Sequence, residues 1–328
     1  MTPEISVLMA NFNGARHLGH AIRSLETQTF RNWELIFVDD CSGDDSVALA
    51  NRFAERDPRI QVVVQDRNRG PAAARNRAIE LAQGHWVMVF DSDDIVRPQR
   101  LEVLRERARS DRALIVADNL LVFSDEKSLA KPFLHGDLAK VPHWIGLAEF
   151  IDSGRIYSRS ADLGYLKPFI SLDLLRDTGI RYDEKLRIGE DSDLIARLLA
   201  PGLRLRLEPS AHYMYRKHAS SISHRIHRNA ILALIEANAQ LIEELPQESA
   251  DAMAALKRRD ASLQSMLLYD QVITMLKAGD YRHAVSASIG APHIWPLLTQ
   301  PLTARLSKLA EGPRRPQLRA GTAPQAAD

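Results

Sequence analysis

Three carboxylates, Asp91, Asp93 and Asp94, follow directly on the apolar run Trp86–Phe90 in HWVMVFDSDD. Like charges at that spacing repel, and the end of a buried strand is a costly place for them. A second pair, Asp39 and Asp40, closes another apolar run, ELIFVDD. Clustered carboxylates become favourable when a divalent cation sits among them. Mg2+ and Mn2+ take oxygen ligands and complete their shells with substrate phosphates. The competing reading is that each aspartate caps the next helix and faces water.

The elements that must position these residues show in the apolar pattern. Ile5–Ala10 reads as a buried strand, and a helix follows over Ala15–Thr27. ELIFVDD is a second strand, with a helix over Asp44–Arg56 after it. IQVVVQ is a third, followed by a helix from Pro71 to Gln83, with proline in its first turn and Gly84 just past its end. HWVMVF is a fourth, Pro98–Ser110 a helix, and ALIVAD a fifth strand. Continuously apolar strands separated by helices predict a parallel sheet covered on both faces. Ligands of such sheets bind beyond the carboxyl ends of the strands. Asn11, Phe12 and Asn13, then Asp39 and Asp40, then Asn68, Arg69 and Gly70, then Asp91 to Asp94 all fall on that one edge.

The middle third is less regular. GYLKPFISLDLLRDTGIRYDEKLRIGED mixes a strand, a short helix and a loop, and a helix is expected from Glu190 to Ala200. LRLRLEP alternates and reads as a half-solvated strand, with HYMYRKH as a second. From about Ile222 the pattern is helical only, and EGPRRPQLRAGTAPQAAD has the composition of a disordered tail. The chain is 328 residues long with a net charge of +1, so no field favours nucleic acid. One cysteine, Cys41, cannot form an internal disulfide. The N-terminus lacks a basic, apolar leader, and no stretch approaches the ~18 apolar residues of a membrane span. A cytoplasmic protein is expected.

The order of these motifs is similar to that of the family 2 glycosyltransferases, with the GT-A nucleotide-sugar fold. ISVLMANFNGARHLGHAIRSLETQTFRNWELIFVDDCSGDDS resembles the start of that family. NRGPAAARNRAIELAQGHWVMVFDSDD, RIGEDSDLIARLL and YRKHASSIS follow in its order. The likeness spans about residues 3 to 222. GYLKPFISLDLLRDTGIRYDEKLRIGEDSDL looks most like the bacterial exopolysaccharide members, such as those of succinoglycan assembly.

The resemblance implies a GT-A α/β catalytic domain over 1–222, a Rossmann-like mixed sheet flanked by helices. Its nucleotide-sugar half is 1–110 and its acceptor half 111–222. A helical extension over 223–311 and a tail over 312–328 follow. It implies inverting transfer of a sugar from a nucleoside diphosphate, UDP foremost, to a hydroxyl, with Mn2+ or Mg2+ as cofactor. Phe12 resembles the aromatic that stacks on the base, the alternative being a core Phe. Asp40 resembles the acceptor of the uracil N–H, and Asp39 a brace for its loop. Asn13, Asn68, Gly70 and Ser92 complete the nucleotide-sugar site. Asp93 matches the direct metal ligand, Asp91 lies nearer the ribose or the metal, and Asp94 has no settled role. Arg75 resembles the cation beside the diphosphate, with a solvated helix arginine as the alternative. Asp191 matches the general base, with Glu190 beside it, and Asp193 is expected to be structural. His218 matches a histidine approaching the metal, in a loop with Ser220, Ser221 and Ser223.

Two other readings stay open. Phosphatases of the haloacid dehalogenase type place a D-x-D after an apolar strand, with the first Asp as nucleophile. They carry that motif on the first strand, whereas here it ends the fourth, and they also need a downstream Lys and a further acidic pair. A non-catalytic nucleotide-binding scaffold would not need every motif position filled by a competent residue. The acceptor is expected to be a saccharide, free or lipid-linked. RIHRNAILALIEANAQLIEEL is amphipathic and expected to pack on the catalytic domain or in a homodimer. APHIWPLLTQPLTARLSKLA combines Trp295, leucines and basic residues, and either packs likewise or rests on the inner face of a membrane.

Overall fold

A computed structural model of the chain describes residues 2–125, 127–155, 161–218, 227–245, 249–295 and 297–298. Its first compact unit is Met1–Gln264 and its second Ser265–Asp328. In the first unit, strands β1 (Ile5–Asn11), β2 (Trp33–Asp39), β3 (Ile60–Val64) and β4 (Trp86–Val89) alternate with helices α1 (Ala15–Glu26), α2 (Ser46–Ala54) and α3 (Pro71–Leu81). They pair in parallel in the order β3-β2-β1-β4. Nearly every residue of β1 and β2 is buried, as strands covered on both faces must be. Four of the buried residues of α3 are alanines (Ala72, Ala73, Ala74, Ala78), small enough for a helix to pack closely.

Beyond β4 the parallel order read from the apolar runs gives way to the mixed sheet that the GT-A resemblance implies. β5 (Ile95–Val96), α4 (Arg100–Ser110) and β6 (Ile115–Ser124) come next, followed by β7 (Lys127–Pro132), β8 (His143–Ile145), α5 (Leu147–Ser153) and β9 (Phe169–Ser171). β9 inserts antiparallel between β4 and β6, so the sheet is mixed. Stacking of Trp86 on Phe169, with centroids 4.7 Å apart, fixes that insertion. β6 runs six residues past Asp118, where ALIVAD was expected to end. After α6 (Leu172–Thr178) and α7 (Glu190–Leu199), β10 (Leu205–Arg216) joins into one strand what the sequence suggested were two. Its register with β6 slips across Pro209, which has no N–H to give, and again at His212, whose N–H goes to the Asp118 side chain.

The helices α8 (Arg228–Glu244) and α9 (Ala250–Lys277, of which residues to Gln264 belong to the first unit) follow. Leu241, Leu245, Ala252, Ala255 and Leu256 join the main core cluster. Leu234 and Leu263 pack with Leu186. Arg258 binds both oxygens of Asp152 on α5, at 3.0 and 2.6 Å. The expected boundary near 222 lies outside the described residues, as do Ser220, Ser221, Ser223 and the tail. In the second unit α10 (Tyr281–Ile289) buries Ala284 against Val272, Ala291 and Ile294. Among the described residues no helix is long and apolar enough to cross a membrane.

Candidate active site

The carboxyl edge of the sheet gathers the polar residues that the sequence placed there. Asn11 and Asp39 are register partners on β1 and β2, and Asn11 Nδ2 donates to Asp39 Oδ1 at 2.9 Å. Ser42 donates its backbone N–H and its hydroxyl to Asp39, both at 2.7 Å. Asp39 therefore braces the loop after β2. Asp40 is equally buried and also braces a loop. It accepts from Gln65 Nε2 (2.9 Å) and from the N–H groups of Arg69 and Gly70 (2.7 Å each). A carboxylate offers about four acceptor directions, so three donors leave roughly one for a base N–H.

Asn13 adopts a left-handed φ of 51° and accepts from the Gly43 N–H at 2.8 Å. Phe12, beside it, is half-exposed, so it is not a core residue. It stands open at the edge where a base could stack. At the start of α3, Gly70 has φ 97°, and a Cβ there would lie 2.4 Å from Arg187 Nη1. That guanidinium donates to Asn68 Oδ1 at 3.2 Å. Ser92 Oγ lies close to Gly14, where a Cβ would meet it at 3.0 Å.

Deeper in, three carboxylates meet two cations. Arg75, in the second turn of α3, is buried rather than solvated. It donates to Glu190 Oε1 (2.6 Å) and Asp91 Oδ1 (2.8 Å), and its Nη1 lies 3.2 Å from Asp191 Oδ1. Lys167 supplies the second cation, with Nζ 2.8 Å from both Asp91 Oδ2 and Asp191 Oδ2. Gly189 delivers Glu190 and Asp191 at the start of α7. It sits at φ 82°, where a Cβ would strike Leu234 of α8 at 2.9 Å. Both acidic residues are thereby buried against cations rather than capping a solvated helix.

The electrostatics separate the roles of these carboxyls. Burial pushes Asp91 up, but Lys167 and Arg75 outweigh it and hold Asp91 well below the usual carboxylate range. Burial raises Glu190, and the charge of Asp191 adds to that against the pull of Arg75. Three negative charges facing two positive ones leave an excess, and Glu190 is the member whose proton affinity rises. Among the described residues Asp191 Oδ1 is buried without a hydrogen-bond partner, and so is Arg75 Nε.

Asp93 pairs with a residue outside this cluster. Its Oδ2 lies 2.8 Å from His218 Nε2, and the His218 ring lies 5.4 Å from that of His17. Two neighbouring ligands of one Mg2+, each at ~2.1 Å, lie about 3 Å apart, so Asp93 and His218 fit a divalent ion as two of its ligands. Among the described residues no group of three His, Cys, Asp or Glu side chains could hold a metal. Phosphate oxygens and water would have to supply the rest. Asp91, placed with the metal or the ribose by the motif, has both oxygens turned to Arg75 and Lys167.

Asp94 has a structural role. It is buried and accepts from the Tyr213 hydroxyl (2.6 Å) and the Arg216 N–H (2.7 Å), pinning the DSDD turn to β10. Burial, then the charges of Asp93 and Asp91, raise its carboxyl well above the ordinary value. Asp193 pairs with Arg197 at 2.6 Å on α7. Cys41 is exposed, with φ 62°. Lys167 was not singled out by any motif. Its one signal is a lysine in the otherwise apolar YLKPF, and a lone lysine there carries no spacing to read.

A mixed α/β sheet with this carboxylate edge is the architecture of GT-A nucleotide-sugar transferases. The family description Glycosyl transferase family 2 matches residues 6–163. The chain is 35% identical over 308 residues to the succinoglycan biosynthesis protein ExoO of Rhizobium meliloti, covering 94% of this chain and 87% of that one. It is 32% identical to ExoU of the same organism, over 80% of this chain and 75% of the relative. Among solved structures, TarS of S. aureus in complex with UDP-GlcNAc superposes with a TM-score of 0.62 at 18% identity, covering 83% and 72% of the two chains. The mannosyltransferase PcManGT from Pyrobaculum calidifontis, in complex with GDP-Man and Mn2+, superposes at 0.59 and 18%, covering 95% and 81%. This chain belongs to glycosyltransferase family 2 and has the GT-A fold. That membership makes it a transferase and sets aside the phosphatase and scaffold readings.

Proposed function

We propose that this enzyme moves a sugar from a nucleoside diphosphate donor, UDP-linked, to a hydroxyl of a saccharide or lipid-linked saccharide, in exopolysaccharide or cell-surface glycan synthesis. The observation that carries the reading is Asp191, a buried carboxylate with one oxygen held by Lys167 and the other, 3.2 Å from Arg75 Nη1, without a hydrogen-bond partner among the described residues. Asp191 takes the proton of the acceptor hydroxyl as that oxygen bonds to the anomeric carbon. The bond from that carbon to the diphosphate breaks, and its electron pair leaves with the nucleoside diphosphate. Attack opposite the leaving group inverts the anomeric centre. A divalent metal, held by Asp93 and His218 with the diphosphate, would supply Lewis-acid stabilisation of the departing charge, worth several kcal/mol. Phe12 stacks on the base, and Asp40 offers its remaining acceptor direction to it. The donor class is supported by the UDP-GlcNAc and GDP-Man named with the structural neighbours, and the glycan class by the succinoglycan proteins among the relatives.

UDP titrated by calorimetry, with and without Mn2+, tests the donor side. Binding is expected to need Mn2+ and to weaken at least tenfold in Asp93→Ala. Metal-independent binding that the variant leaves intact would remove Asp93 from the diphosphate site.

The second unit supports contact with an anionic lipid surface. Tyr281, Val285 and Ile289 form one exposed apolar face of α10. Exposed Trp295 is fixed beside it by its indole N–H donating to the Ser288 carbonyl at 2.7 Å. From residue 265 onward the chain carries seven Lys and Arg against four Asp and Glu. Aromatic and aliphatic side chains with net positive charge suit an interfacial helix. The enzyme is expected to co-float with phosphatidylglycerol vesicles, and Val285→Ser/Ile289→Ser to abolish this. Failure to co-float, or a dimer by light scattering with no lipid binding, would count against it.

A further inference from the structure

Lys167 stands outside every motif, yet among the described residues no other side chain bridges the donor side of the site to Asp191 by one atom. Its ammonium has three N–H donors. One reaches Asp91 Oδ2, at the end of β4, and one Asp191 Oδ2, at the start of α7, each at 2.8 Å. Its backbone is no freer. The Lys167 carbonyl accepts from Arg100 Nη2 at 2.6 Å, and Arg100 is itself gripped by Asp118 in the core. The lysine therefore hangs from a fixed point of the sheet, and its side chain is almost entirely buried. Burial disfavours its charge, but Asp191 and Asp91 more than offset this and hold it well above the ordinary lysine value.

A merely neutralising cation would not need this geometry. Arg75 already contacts all three carboxylates of the cluster. Lys167 adds orientation: with Oδ2 occupied, Asp191 presents Oδ1, which lies 3.2 Å from Arg75 Nη1 and has no hydrogen-bond partner among the described residues. Asp91 is pulled from the opposite side through the same atom.

We propose that Lys167 is a positioning residue. It sets the distance between the donor-side carboxylate Asp91 and the base Asp191, and it fixes which oxygen of the base receives the acceptor proton. The proposal rests on the reading of Asp191 as the base. Misplacing a reacting group by about 1 Å costs ~10² in rate. Lys167→Met is expected to lower kcat about 100-fold while UDP affinity stays within about threefold. Lys167→Arg keeps the charge but cannot place one nitrogen between the same two oxygens. It is expected to match the native melting temperature and still lose at least tenfold in kcat. In an Asp191→Asn background, Lys167→Met should cost less than about threefold more, because there is no base left to position.

Full recovery of kcat in Lys167→Arg would reduce Lys167 to a neutralising charge and overturn the proposal. So would Lys167→Met acting mainly through weaker UDP binding, or adding its full loss on top of Asp191→Asn. If Asp191→Asn alone keeps its turnover, it is the base assignment that fails. If Asp191→Asn is inactive and Lys167→Met is not impaired, Lys167 fails by itself.

Discussion

Asp191→Asn is expected to lower kcat by roughly 10²–10⁴, the range a positioned proton acceptor contributes. The change is nearly isosteric. The amide oxygen can still accept from Lys167, which holds Asp191 Oδ2 at 2.8 Å. Burial of α7 is untouched, so the variant should fold. In the proposed site the nucleotide would lie at Phe12, Asp40 and Asp93, away from the substituted atom, and UDP affinity should stay within about threefold. Nucleoside diphosphate released in the presence of acceptor reports the first effect and calorimetry the second. Native-like turnover would remove Asp191 from the proton transfer. Glu190→Gln makes a useful contrast. That carboxyl is raised by burial and by Asp191, and it faces Arg75 at 2.6 Å. Its neutral form is already favoured relative to an ordinary glutamate, so Gln should be tolerated better than Asn at 191.

The largest expected stability effect lies behind the site. Arg100 and Asp118 are both fully buried. Asp118 accepts from Arg100 Nη2 at 2.9 Å and Nε at 3.1 Å, and from the His212 N–H at 3.1 Å. Asp118→Asn leaves the guanidinium uncompensated in the core, a change that typically costs about 3–5 kcal/mol. Loss of that magnitude should appear as a clear drop in the urea midpoint. Removing both charges, as Arg100→Met/Asp118→Leu, should cost less than either single change, because no isolated charge remains. If the double variant is instead the least stable of the three, direct packing by these side chains outweighs the charge effect. Arg100 also holds the Lys167 carbonyl, so Asp118→Asn should depress kcat beyond what unfolding explains.

The first four strands and their helices were legible because each is a continuous apolar run bounded by turn residues. The edge they build follows from their direction: Asn11, Asp39 and Asp91 end parallel strands and so must converge. β9 was not legible in this way. Three residues, Phe169–Ser171, carry no period, and nothing local distinguishes an antiparallel insertion from one more parallel strand. β10 looked like two strands because Pro209 interrupts the alternation, although the strand continues past it with a shifted register. Long-range pairing explains the rest. Arg75 reads as the cation beside the diphosphate or a solvated helix arginine, and its three carboxylate partners show only once β4 and α7 place Asp91, Glu190 and Asp191 against it. Lys167 depends on β9 lying beside β4, so it could not be found before the insertion was known. Asp40 illustrates an intermediate case: its position at the edge was legible, but its three loop donors were not.

The packing of α8 and the first part of α9 bears on how members of this family exchange parts. Leu234, Leu241, Leu245, Leu256 and Leu263 are buried against the sheet domain or its loops. Each buried leucine is worth about 1.5–3 kcal/mol relative to exposure. A Cβ on Gly189 would strike Leu234, so the turn that presents Glu190 and Asp191 is shaped against α8. A hybrid enzyme that takes its acceptor region from one relative and its helices from another would have to match two surfaces that fit at the scale of a single methyl group. Recombination in such enzymes should therefore be inherited as one block reaching past Leu263, and natural or engineered crossovers between β10 and α9 should be selected against.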